Sequence, residues 1–290
     1  MNDEALFPRT MVGGVSLPRM LMGTNWILGF SHRSPAADAT IRNRHCCPSA
    51  MADIVEVYLR NGVDAILGLF HLPHVCEAIA IAEERVGKKM IIIDTPLMNM
   101  NDSAEGRKEA EAVIRRSKAL GATFCLPHHG SAEQLVNKNK GTMDRLPDYL
   151  YMIREQGMIP GLSAHMPELV VYADQNGYDV ETYIQIYNCL GFLMQIEIEG
   201  VHRIIWNAKK PVMTIKPMAA GRCTPFVGLN FSWATIRPCD MVAVGCLTPE
   251  EAAEDIEISH AALERRPPNL EGRNSPNAKT AALSGKHQQH

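Results

Sequence analysis

Several features are scarce in this chain, and each absence removes a class of function. No apolar stretch in its 290 residues approaches the ~18 needed to cross a bilayer, so no membrane span is expected. No basic run stands out against 29 Lys and Arg, 32 Asp and Glu, and a net charge of −3. That balance argues against an electrostatic grip on a phosphate backbone, and no nucleic-acid partner is expected. The start, Met1-Asn2-Asp3-Glu4, is acidic and lacks the basic and apolar regions of a secretory signal, so a cytoplasmic setting is expected. The 8 cysteines include no Cys-x-x-Cys pair, which removes zinc-ribbon and thioredoxin-like readings. Cys125 and Cys246 lie in apolar runs and read as small core residues. No nucleophile elbow, P-loop, Rossmann fingerprint or His-Glu-x-x-His helix occurs.

What is present is alternation. Short apolar runs of strand length cover 19–24, 64–69, 89–94, 122–127, 158–163, 183–187, 211–216 and 240–245. Most are apolar throughout, as strands buried on both faces must be. Amphipathic patterns lie between them over 50–60, 73–86, 105–120, 144–156, 167–176 and 249–263, several stopping at a glycine that turns a helix end toward the next strand. Eight strands each followed by a helix give an α/β fold, a single (β/α)8 TIM barrel over residues 1–265. An extended loop at 31–49 carries His32, Arg33, Arg42, Arg44 and His45, and loops of that length at that end of a barrel commonly cover the active site. The polar segment 266–290 is expected to be a disordered tail.

An ordered set of short passages carries a resemblance. They are Gly13-Gly14-Val15-Ser16-Leu17-Pro18-Arg19 with Met22-Gly23-Thr24, Ser117-Lys118-Ala119-Leu120-Gly121-Ala122 through His128-His129-Gly130, and Gly157 through His165 with Pro167-Glu168. Tyr187-Asn188, Lys216-Pro217-Met218-Ala219-Ala220-Gly221-Arg222 and Val244-Gly245 with Thr248-Pro249-Glu250-Glu251 continue it. In this order, from about Gly13 to Leu263, they resemble the aldo/keto reductase superfamily. The resemblance implies a barrel of that type and a nicotinamide cofactor, NADH or NADPH, with Ser163, Gln185, Asn188, Gly221, Arg222 and Gly245 as the cofactor-binding positions.

The departures from that pattern bear on chemistry. The resemblance implies an Asp and a Tyr after strand two, a Lys on strand three and a His on strand four. Strand two instead runs Ala65-Ile66-Leu67-Gly68-Leu69-Phe70-His71, and strand three ends Ile93-Asp94-Thr95-Pro96. Only the histidine, His128 or His129, has a counterpart. The last helix opens Thr248-Pro249-Glu250-Glu251-Ala252-Ala253-Glu254-Asp255, whose carboxylates repel an adenosine phosphate although the helix terminus attracts one.

The strand ends collect another set of groups. His71, Asp94, His128, His129, His165 and Lys216 fall where barrel enzymes place their active sites. Each histidine also reads as a polar cap at a strand end. Together His71, Asp94, His128 and His165 form a candidate site for a divalent metal such as Zn²⁺. Strand alternation lets one of His128 and His129 face inward easily, unless Pro127 breaks it. Lys216 reads as an anion-binding group with Arg222 as helper, as a partner of Asp94, or as a Schiff-base lysine. The expected function is non-redox acid/base chemistry on a small carbonyl or polyol, by a lyase, dehydratase or isomerase using His128 or His129 and Lys216, with metal assistance as an option. The alternatives are an NAD(P)H-dependent aldehyde or ketone reductase and a binding barrel without catalysis. The expected partner is a small-molecule substrate, and a homo-oligomer stays open.

Overall fold

A computed structural model describes residues 6–270. The chain opens with a hairpin, Arg9–Val12 against Val15–Pro18, turned at Gly13-Gly14. Val12 and Leu17 of this hairpin are buried in the same apolar cluster as Leu21, Ala65 and Met241, so it plugs the end of the barrel where the strands begin. The passage Gly13 to Pro18 is therefore part of a floor beneath the barrel, and strand one begins after it.

The eight strands form one parallel sheet. They are Met20–Gly23, Ala65–Gly68, Ile91–Asp94, Phe124–Cys125, the split strand Ile159–Pro160 and Leu162–Ala164, Tyr183–Ile186, Val212–Ile215 and Met241–Val244. In hydrogen-bonding order the sheet begins with one half of the split strand and ends with the other. Its two edges thus belong to one strand, and the sheet closes on itself as an α/β barrel. Alternate residues such as Leu67, Ile93, Phe124 and Met213 fill the interior. Their neighbours, such as Ile66, Ile92 and Val212, pack outward against the helices. Trimming one fully buried Leu or Ile to Ala in these layers costs about 2–5 kcal/mol.

Helices Pro48–Arg60, Pro73–Val86, Ala104–Ala119, Leu146–Glu155, Glu168–Asn176 and Pro249–Glu264 lie within two residues of their sequence expectation at each end. Two more, Ile198–Asn207 and Pro225–Thr235, complete the ring. The second is apolar on every side, from Phe226 and Leu229 to Trp233, so it has no amphipathic period to read. Gly68, at the end of strand two, has a φ of +152°, and a Cβ there would sit 1.8 Å from the Thr24 hydroxyl. Strand one can approach strand two at the mouth only because this residue is glycine.

The 31–49 segment is ordered rather than an open loop. Helix Pro35–Arg44 starts at Ser34, whose hydroxyl accepts from the Ala37 amide at 3.2 Å. Asp38 in its first turn accepts from both the amide and the hydroxyl of Ser31. This clamp fixes the turn carrying His32 and Arg33. Of the tail expected at 266–290, residues 271–290 lie outside the described residues. Among the described residues no helix is long and apolar enough to cross a membrane.

Candidate active site

A cavity of about 970 Å³ opens at the C-terminal ends of the strands. Its lining includes His32, Arg33, His128, His129, His165, Lys216 and Arg222, and also Glu251, Glu254 and Asp255. Both members of the His128–His129 pair line it, where strand alternation alone allows one. The reason is local. His128 leaves the strand in an extended conformation (φ −55°, ψ 148°), and His129 begins the single turn His129–Ala132, so the alternation ends between them.

Neighbouring groups fix the two imidazoles in different ways. The Gly130 amide donates to His128 Nδ1 at 3.2 Å, so Nδ1 is the unprotonated nitrogen and Nε2 carries the hydrogen. His129 presents Nδ1 to Glu133 Oε2 at 3.9 Å, an electrostatic contact that favours the proton on Nδ1 and leaves Nε2 as the basic nitrogen. Glu133 is itself held, because its Oε1 accepts from the amides of His165 and Met166 at 2.7 and 2.9 Å. Burial pushes its carboxyl up, but the adjacent His129 ring and these amides outweigh that and keep it below the usual carboxylate range. The ring of His165 stacks on His129 with centroids 3.5 Å apart, and His128 packs against His129 at 4.1 Å. Burial first, and then the neighbouring His129, pull His128 down to about 4 and His165 to about 3. Both are neutral imidazoles at neutral pH.

Lys216 reaches the cavity through an unusual backbone. Met213 and Ile215 of strand seven point inward, so alternation would send residue 216 outward toward the helices. A left-handed φ of +62° at Lys216 breaks the alternation, and its side chain enters the mouth. Its Nζ lies 3.3 Å from His32 Nε2, and burial pulls its ammonium down to about 8.

Asp94 belongs to another layer, which corrects the metal reading and the suggested pairing with Lys216. Ile93 faces the barrel interior, so Asp94 faces outward, and Ser117 on the surrounding helix donates to its Oδ2 at 2.6 Å. Burial raises its carboxyl despite that bond. The rings of His129 and His165 are stacked, 15° from parallel. His71 lines the cavity from its exposed rim. Among the described residues no three His, Cys, Asp or Glu side chains are placed to hold a metal ion. The set His71, Asp94, His128 and His165 therefore does not fit a divalent metal.

The cofactor positions divide. Ser163, Gly221, Arg222 and Gly245 line the cavity, but Gln185 and Asn188 do not. Gln185 is outward like its neighbours Tyr183 and Tyr187, and its Nε2 donates to the Ile186 carbonyl. Asn188 ties its own loop, donating to the Phe192 carbonyl and accepting from the amides of Leu190 and Phe192. Of the cofactor candidates Ser163, Gln185 and Asn188, Ser163 alone thus lines the cavity. The carboxylates among the lining residues, Glu251, Glu254 and Asp255, add to the misfit with a cofactor phosphate. Sequence reasoning did not single out Glu133 or the contact of His32 with Lys216. Glu133 follows His129 by four residues, the spacing of neighbours on one helical turn, and was legible in principle.

Comparison with known proteins adds the type of barrel. No family model matches the chain, and no curated protein matches it. Among solved structures, a protein assigned as an aldo-keto reductase of Pseudomonas aeruginosa is similar with a TM-score of 0.65 and 15% identity, over 90% of this chain and 98% of that one. The aldose reductase of Giardia lamblia is similar at a TM-score of 0.51 and 15% identity, over 87% and 89% of the two chains. An aldo-keto reductase of Klebsiella pneumoniae in complex with NADPH is similar at a TM-score of 0.51 and 14% identity, over 93% and 99%. The fold is therefore an α/β TIM barrel of the aldo/keto reductase type. Fold alone does not carry the activity across.

Proposed function

We propose that this barrel is an acid/base enzyme that moves a proton next to the carbonyl of a small anionic substrate, as a lyase, dehydratase or isomerase does. The observation that carries the reading is the complementary fixing of two adjacent imidazoles. The Gly130 amide leaves His128 with a hydrogen on Nε2, and the Glu133 carboxylate 3.9 Å from Nδ1 favours Nε2 as the basic nitrogen of His129. His129 Nε2 accepts the α-proton while His128 Nε2–H donates to the carbonyl oxygen that gains charge. Glu133 stabilises the imidazolium formed on His129, and Arg33 and Arg222 on the exposed rim hold the substrate's carboxylate or phosphate. No metal is needed for these steps.

Nicotinamide-dependent reduction is the second reading, favoured by similarity to a reductase solved with NADPH. The engagement of Gln185 and Asn188 elsewhere and the carboxylates on the cavity wall stand against it.

The test is exchange of α-hydrogens in D2O, followed by NMR on pyruvate, hydroxyacetone and dihydroxyacetone phosphate. Wild-type protein is expected to catalyse exchange with the anionic probes, and His129→Ala to slow it by on the order of 10²–10⁴-fold. Undiminished exchange in His129→Ala removes this assignment.

A further inference from the structure

The mouth holds one group that proton transfer alone leaves without a task. Lys216 follows strand seven and His32 lies in the clamped turn after strand one, and their side chains meet at 3.3 Å at the open mouth of the cavity. Both residues have left-handed backbones, with φ of +62° and +57°, and neither is glycine. Such conformations cost on the order of 1–3 kcal/mol each and concentrate where surrounding structure enforces them for function. The orientation of His32 is also fixed. Its Nδ1 lies 3.0 Å from the Phe30 carbonyl oxygen, so Nδ1 carries the hydrogen and donates. The nitrogen facing Lys216 is therefore an unprotonated acceptor aimed at an amine.

We infer that Lys216 is a nucleophile that captures the substrate's carbonyl carbon as an imine, with His32 taking the proton that frees its amine. The inference rests on the reading of this mouth as a site for small carbonyl compounds. Two further observations agree with it. Burial lowers the Lys216 ammonium, and His32 is itself lowered by burial and then by the Lys216 charge. Arg33 and Arg222 on the rim leave Lys216 free of the anion-binding role.

The step balances. The Lys216 ammonium gives one proton to His32 Nε2, and the Nζ lone pair forms a C–N bond to the carbonyl carbon. The carbonyl oxygen takes one proton back from His32 and one from the attached nitrogen, and leaves as water. The resulting iminium draws electrons from the α-carbon–hydrogen bond, whose proton passes to His129 Nε2, and the electron pair comes to rest as an enamine. Neither oxidant nor reductant is consumed.

The test is trapping by sodium borohydride in the presence of pyruvate or dihydroxyacetone phosphate, followed by peptide mass mapping. The expected result is a Lys216 peptide heavier by the probe less one oxygen atom, as imine formation and reduction require. Lys216→Arg is expected to lose that label, and His32→Gln to slow labelling by on the order of 10²-fold at neutral pH. Label confined to surface lysines of the wild-type protein overturns the inference without recourse to any variant. Exchange at the α-carbon without trapping at Lys216 removes the imine and leaves the proton-transfer reading intact. Trapping at Lys216 without exchange keeps the imine and removes the role of His129.

Discussion

If Lys216 serves chemistry, the fold should be better off without its charge. The perturbation is Lys216→Met, which keeps an unbranched apolar stem of similar length while deleting the ammonium. Burial lowers the ammonium from an ordinary 10.5 to about 8. At 1.36 kcal/mol per unit, the charged form costs the native state about 3 kcal/mol. The left-handed backbone strain is common to Lys and Met, since both carry a β-carbon, and it cancels. The sign follows from proton binding. Below about pH 8 both native and unfolded chains hold the proton, and the full penalty applies. Between there and 10.5 the native chain has released the proton that the unfolded chain still holds, so wild-type stability rises with pH. Urea denaturation is therefore expected to find Lys216→Met more stable by about 3 kcal/mol at neutral pH, with the gap narrowing to about 1 kcal/mol near pH 9.5. A variant that is less stable than wild type at neutral pH, or a gap independent of pH, refutes the reasoning and makes Lys216 a structural residue.

Other consequences are as concrete. Asp94→Asn should leave α-hydrogen exchange within about twofold of wild type and cost no more than about 1 kcal/mol, because the side chain faces Ser117 rather than the mouth; a large loss of exchange would return Asp94 to the site. Asp240 is fully buried at the start of strand eight, 2.7 Å from Arg237 and accepting from the Val212 amide. Asp240→Ala strands the Arg237 charge and should cost about 3–5 kcal/mol, read as a fall in Tm of about 10 °C. His128 and His165 stay neutral in the native state down to about 4 and 3 while the unfolded chain protonates near 6.5. Their contribution to stability is complete above 6.5 and is lost as pH falls toward their native values, so the urea midpoint should drop over that interval, less steeply in His165→Gln.

The barrel was legible because its signals are local and repeated. Continuous apolar runs, glycine at helix ends and proline at first turns mark most units independently, so missing Ile198–Asn207 and Pro225–Thr235 did not obscure the count of strands. The site was legible in composition but not in direction. Strand alternation separates Asp94 from His128 by sending them to opposite faces of the barrel wall, and reading which face requires the register of Ile93. Alternation failed where the backbone leaves it, at His128-His129 and at Lys216, and those are the positions that crowd the mouth. The contact of Lys216 with His32 joins residues 184 apart in the chain, and no spacing rule reaches across that distance. Gln185 and Asn188 had the right residue types at the right strand end, yet each is occupied by a neighbouring backbone.

The most direct measurement puts the two chemistries in one tube. Wild-type protein in D2O receives pyruvate or dihydroxyacetone phosphate together with NADH and NADPH. Loss of α-hydrogen is followed by NMR, and oxidation of the nicotinamide by absorbance. Deuterium is expected to enter the α-carbon with the nicotinamide unchanged, and on the order of 10²-fold or more slowly in His129→Ala. Carbonyl reduction coupled to nicotinamide oxidation, with no exchange at the α-carbon, would contradict it.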